Sequence, residues 1–247
     1  MRTIKSFIKN GIKMGVFLWS VNWIKTIYFN FKMFPFSVAK KLPVYFYGSV
    51  KFSNLSGKIR IEGDIKSAMV GFGQSYEKST RSRGISELHL AGTLLFKGHV
   101  QLGKDYLLYI HKNAYCEFGH LASIASNSKV ICYEKIILKT HARLGSEAQI
   151  IDTNFHRLIN TKTLEKHALT APIVLGSYNF ISNRVTILQK TKTPDFCIIA
   201  SNTLCTKDYT ALGPNCLIGG VPAQLLKENI SRDWDSEKEL MQSLILF

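Results

Sequence analysis

Along residues 175–223, aliphatic or small side chains return at every sixth position: Leu175, Ile181, Ile187, Thr193, Ile199, Cys205, Ala211 and Leu217. A second comb, two residues earlier, reads Ile173, Asn179, Val185, Thr191, Cys197 and Thr203. A helix repeats every 3.6 residues and a strand every 2, so neither explains a period of six. Six residues per side is the period of a parallel β-helix with triangular coils, in which each repeat position points into the core. In a chain that is 46% hydrophobic, eight teeth would hold about four apolar residues by chance, and the first comb holds seven. Gly176, Ser182, Ala200 and Thr206, each following a tooth, are small, as a tightly bent corner requires; Leu188 and Pro194 break that rule.

Upstream the rhythm continues in broken phases: Leu90, Phe96, Leu102, Leu108; then Phe118, Ile124, Val130; then Cys132, Leu138, Leu144, Ile150. Each slip implies an extra residue bulging at a corner. The largest break lies between Ile150 and Leu175, and residues 154–170 within it are mostly polar or charged. This pattern predicts two coils separated by a loop excursion over residues 153–171, and loops on rigid scaffolds are where functional residues concentrate.

The stretches Pro172-Ile173-Val174-Leu175-Gly176, Ile199-Ala200-Ser201 and Thr206-Lys207-Asp208, closed by Gly219-Gly220-Val221-Pro222-Ala223-Gln224, resemble the C-terminal signature of the hexapeptide-repeat acyltransferases. They are similar to the branch that O-acetylates galactosides, maltose and capsular polysaccharides. The resemblance implies a left-handed parallel β-helix, a homotrimer, and acetyl-coenzyme A as acyl donor in a cleft between neighbouring solenoids.

The excursion opens with Ile151-Asp152-Thr153-Asn154-Phe155-His156, which resembles the family's Asp-x-x-x-His segment. There the histidine is the general base, and the loop reaches toward an adjacent subunit. Acyl transfer to a sugar needs a group that takes the hydroxyl proton near neutral pH, and imidazole suits that task. His156 is therefore the candidate base. Asp152 could orient its ring or bind the acceptor, and both roles stay open. The family usually has an acidic residue where Asn154 stands, which leaves Asn154 as an altered acceptor contact. On the donor side, the resemblance implies a pantetheine arm bonding amides around Ser182 and Ala200, with Ser201 and Thr206 beside them. It also implies Lys207 meeting a phosphate of coenzyme A, and Val221-Pro222 forming the turn near the adenine.

Other chemistry is thin. No two of the seven histidines are five apart, so the histidine-pair zinc site of solenoid carbonic anhydrases is not expected. The remaining histidines read as structural. The five cysteines form no C-x-x-C pair and read as small buried residues of a reducing compartment.

Charge changes the picture at the N-terminus. The net charge is +15, and eleven Lys or Arg precede the first acidic residue, Glu62. The first 36 residues also hold nine Phe, Trp or Tyr. Cations mixed with aromatics suggest an interfacial helix on an anionic membrane; a helix packing its aromatics on the solenoid is the alternative. The longest uncharged run there, residues 14–24, is too short to span a bilayer, and no small-x-small cleavage site follows it. A protein of the cytoplasm or the inner membrane face is expected, with no nucleic-acid partner, since no recognition motif accompanies the charge.

Three regions are expected: a basic, aromatic helical region over 1–43, the solenoid over 44–227, and a C-terminal helix over 228–247 capping the last coil. The function this implies is transfer of acetyl to a hydroxyl of a surface polysaccharide, its lipid-linked precursor or a related saccharide. An N-acetyltransferase on an amino sugar and a non-catalytic scaffold for glycan enzymes remain open alternatives.

Overall fold

The computed structural model describes residues 20–74 and 84–237. Among the described residues two helices, α1 (Trp23–Met33) and α2 (Phe36–Ala39), precede twenty-one short strands running from Val44–Phe46 to Gln224–Glu228. The strands form sheets of nine, seven and five members, in each of which a strand pairs with the one a full coil later. This is a three-sided parallel β-helix whose first strand begins at Val44. The first side runs from Val44–Phe46 to Cys216–Gly219, the second from Val50–Leu55 to Leu204–Cys205, and the third from Lys58–Ile61 to Ile173–Leu175.

Both combs point inward. Leu175, Ile181, Ile187, Ile199 and Cys205 are fully buried, as are Ile173, Asn179, Val185, Thr191 and Cys197, while Thr193 and Thr203 are nearly so. Two polar teeth bond each other: Gly176 N–H donates to Thr193 Oγ1, Thr193 donates to Asn179 Oδ1, and Asn179 Nδ2 donates to the Pro194 carbonyl at 2.8 Å, whereas the buried Thr191 hydroxyl has no partner among the described residues. Hydrogen bonding offsets the burial of Asn179 and Thr193. The comb fails only at its end. Ala211 is exposed in a short 3-10 turn, and Ile218 rather than Leu217 enters the core, because the segment 206–215 bulges from the coil.

The phase slips upstream are coil-length differences. On the second side Leu88 pairs with Leu108, Leu108 with Val130 and Val130 with Ile150, so these coils take 20, 22 and 20 residues. Only the last, Ile187 to Cys205, takes 18. In this regular part Tyr178, Arg184, Lys190, Phe196 and Asn202, six apart, all have positive φ. Each sits at or beside a corner, and non-glycine residues adopt that left-handed conformation only where the surrounding structure imposes it.

One corner carries a file of small residues: Gly103, Ala125, Gly145, Ser182 and Ala200, each following a strand of the first side, and Gly219, which ends the strand Cys216–Gly219. At Gly145 a Cβ would strike the Asn183 amide oxygen and approach the Asn183 backbone nitrogen to 2.8 Å, so that position excludes any side chain.

The two ends close differently. Helix α1 lies across the first edge strand, and Gln224–Glu228 adds an antiparallel strand to the last. That strand does the capping expected of a C-terminal helix. Residues 229–237 make bends and turns, and the rest of the expected helix, 238–247, lies outside the described residues. All five cysteines are buried and free.

Candidate functional site

The excursion leaves the second side after Gln149–Ile151 and returns at Ile173–Leu175. Two antiparallel bridges, Thr153 with Thr170 and Ile159 with Lys166, fold it into a narrow arm closed by a turn at residues 160–165. Residues 155–168 of the arm are all exposed.

Its root is fixed by Asp152. The carboxylate is completely buried and accepts three backbone N–H bonds, from Tyr133 at 2.6 Å, Glu134 at 2.8 Å and Lys135 at 2.8 Å. Burial pushes its pKa up, against the opposing pull of the three amides. The other strand of the arm is tied to the same corner, since Thr170 donates to Glu134 Oε2 at 2.6 Å. Both strands are therefore anchored on residues 133–135. Among the described residues no hydrogen bond joins Asp152 to His156, so the proposed ring-orienting role has no support in this geometry. Asp152 instead holds the base of the arm.

His156 follows a tight turn. Phe155 has φ 58° and its N–H bonds Thr153 Oγ1 at 3.0 Å, while the His156 N–H donates to the Asn154 carbonyl at 2.6 Å. The Asn154 N–H is held by the Leu169 carbonyl across the arm. Phe155 packs edge-on to Tyr133, ring centroids 5.8 Å apart. The His156 side chain is exposed, with no ring partner among the described residues. A positioned backbone with a free imidazole is what a general base awaiting its substrate requires.

The candidate donor-side residues fall at the two ends of the second side. Ser182, Ala200 and Ser201 lie at the corner where that side begins, with Val221 and Pro222 beyond Gly219 at the same corner. Thr206 and Lys207 lie where it ends. Ile151 pairs with Leu188, and Ile187 pairs with Cys205, so Thr206 stacks in file with Leu188 and Ile151. The His156 arm and Lys207 thus leave the solenoid from one corner, two coils apart, roughly 10 Å at the usual strand spacing. Nothing in the chain order announces this juxtaposition.

The Ser182 and Ala200 amides donate to Ile199 and Ile218 carbonyls at 2.9 Å each. They are spent in the ladder that stacks the coils, so an amide contact to a ligand at this corner falls to neighbouring residues. Lys207 is exposed, its ammonium 5.6 Å from the Tyr209 ring centre, and the Thr206 N–H points to the Tyr209 hydroxyl at 3.3 Å.

Three other histidines form a file in the body of the solenoid, while His167 is exposed on the arm. His99, His120 and His141 stack on successive coils, with Tyr178 and Trp234 covering His141. Burial lowers the pKa of each, His141 to about 4. Among the described residues no group of His, Cys, Asp or Glu could hold a metal ion.

No protein-family model and no curated protein matches the chain. Solved structures do. A polySia-specific acetyltransferase, NeuO, is 15% identical over 82% of this chain and 86% of its own, with a TM-score of 0.47. AntD, an N-acyltransferase from Bacillus cereus in complex with dTDP and 3-hydroxybutyryl-CoA, is 14% identical over 86% and 97%, TM-score 0.44. A hexapeptide-repeat-containing acetyltransferase from Vibrio cholerae O1 biovar eltor, complexed with acetyl coenzyme A, is 22% identical over 46% and 60%, TM-score 0.40. With TM-scores below 0.5, these likenesses decide nothing about the chemistry of this chain, which rests on its own residues.

Proposed function

We propose that this protein is an acyltransferase that moves acetyl from acetyl-coenzyme A to a sugar hydroxyl, with His156 as general base. The observation that carries the reading is the arm: a histidine with a free, exposed ring, set on a turn whose root is held by three amides on Asp152 and by the Thr170 to Glu134 bond. In the step, the imidazole takes the acceptor's O–H proton while that oxygen attacks the thioester carbonyl carbon. The C–S bond then breaks, and the thiolate leaves with the proton returned from His156. No covalent enzyme intermediate is needed.

The thioester would lie along the second side. Small residues at its first corner leave that face open, hydroxyls of Ser182, Ser201 and Thr206 are available as polar contacts, and Lys207 presents a free ammonium for a phosphate. Asn154, beside the base, is the candidate acceptor contact. A second copy of the chain completes the site in this reading, as a homotrimer, because the arm leaves Phe155, Leu158, Ile159 and Leu164 exposed among the described residues.

The test is release of free coenzyme A by the purified full chain from acetyl-coenzyme A, with a panel of hydroxyl and amino saccharides. Release with hydroxyl saccharides and an ester product is expected. Release confined to amino sugars would make the enzyme an N-acetyltransferase, and a folded protein inert toward the whole panel would leave a scaffold.

A further inference from the structure

Helix α1 is built inside out. Its inward face is largely polar: the buried Asn30 donates from Nδ2 to the Val44 carbonyl at 2.7 Å and accepts from the Val44 N–H at 3.2 Å, and the buried Thr26 hydroxyl accepts from the Phe46 N–H at 3.0 Å. Phe29 alone adds a buried ring there, 4.9 Å from Phe46. The outward face is apolar. Ile24, Ile27, Tyr28 and Phe31, at the i, i+3, i+4, i+7 spacing that normally marks the core side of a helix, are 81%, 47%, 51% and 47% exposed, and Phe36 on α2 is 71% exposed.

Cations surround this stripe. Lys40 and Lys41 are exposed beside it, and Lys32, Lys58 and Arg60 line a hollow of about 310 Å³ at the end of α1. Among the described residues none of these five pairs with a carboxylate, and no helix is long and apolar enough to cross a membrane. Residues 1–19, outside the described part, carry four further cations and no acid, so by charge they do not complement the patch.

We infer that this end of the solenoid is a docking surface for an anionic lipid bilayer. The stripe enters the headgroup and acyl boundary, and the cations meet lipid phosphates. This is independent of acetyl transfer and is read without an acyl donor.

The test is sedimentation of the full chain with phosphatidylcholine vesicles, with and without about one-third phosphatidylglycerol. Binding only to the anionic vesicles is expected, weakened at least about tenfold when salt rises from about 0.1 M to about 1 M, which shortens the screening length from about 10 Å to about 3 Å. Ile24→Asp with Phe31→Asp should weaken it at least about tenfold, as should Lys58→Gln with Arg60→Gln, at unchanged circular dichroism. The inference falls if the wild type ignores anionic vesicles, binds neutral ones equally, or if both pairs of substitutions leave binding intact. A change of oligomeric state in the Ile24/Phe31 variant would instead make this face a contact between copies, and would also overturn it.

Discussion

The two ends of the solenoid face one physical problem and answer it with different chemistry. A stack of coils leaves a row of unpaired N–H and C=O groups at each end, open to strand addition. At the C-terminal end the answer is backbone: Gln224–Glu228 pairs antiparallel with Cys216–Gly219, and its five residues are all exposed. At the N-terminal end the answer is side chain, since Asn30 and Thr26 serve the edge strand from one face of a helix. Capping explains the inner face of α1 and leaves the apolar outer face with no part in it. That outer face is the one we infer meets an anionic bilayer.

The largest effect should come from breaking the side-chain cap. Asn30→Leu strands the buried N–H and C=O of Val44, and an orphaned buried polar group costs about 1–3 kcal/mol each, so a loss of about 3 kcal/mol is expected in denaturant unfolding. Lys227→Ala on the other cap removes no ladder bond and should stay within about 0.5 kcal/mol. Equal losses at the two sites would erase the contrast.

A smaller effect separates the histidine file from the ends. Burial holds the folded-state pKa of His141 near 4, below its ordinary 6.5. Between those values the unfolded chain binds a proton that the fold refuses, so stability should fall as pH drops from about 6.5 toward about 4. His99 and His120 shift the same way and add to the slope. Trp234→Ala, by letting water reach the His141 ring, should flatten the melting temperature against pH in that window. An unchanged slope would mean that the indole does not set the histidine's environment.

The period of six was legible because core geometry imposes it: a tooth that turned outward would leave a hole in the solenoid, so even Asn179 and Thr193 stay inside and bond each other. The slip at Ala211 and Leu217 was not legible, since nothing in their apolar character distinguishes a tooth from a bulge. The arm could be located by the failure of the comb, and His156 by its motif. The task of Asp152 could not, because its partners are main-chain amides of residues 133–135, and any sequence supplies those. For the same reason the spent amides of Ser182 and Ala200 were invisible: which N–H a coil consumes depends on register, and register appears only when the coils are stacked. Residues 228–237 have helical potential by composition, yet Glu228 ends a strand and residues 229–237 make bends and turns.

The central claim is that His156 is the base. The direct measurement is the rate of free coenzyme A release by His156→Ala, with the acceptor that serves the wild type and with His167→Ala, from the same arm, as control. Removing a positioned general base costs about a hundredfold to ten-thousandfold, so His156→Ala should lose at least about a hundredfold in rate while still binding coenzyme A, and His167→Ala should turn over normally. A folded His156→Ala protein with near-normal turnover would contradict the account.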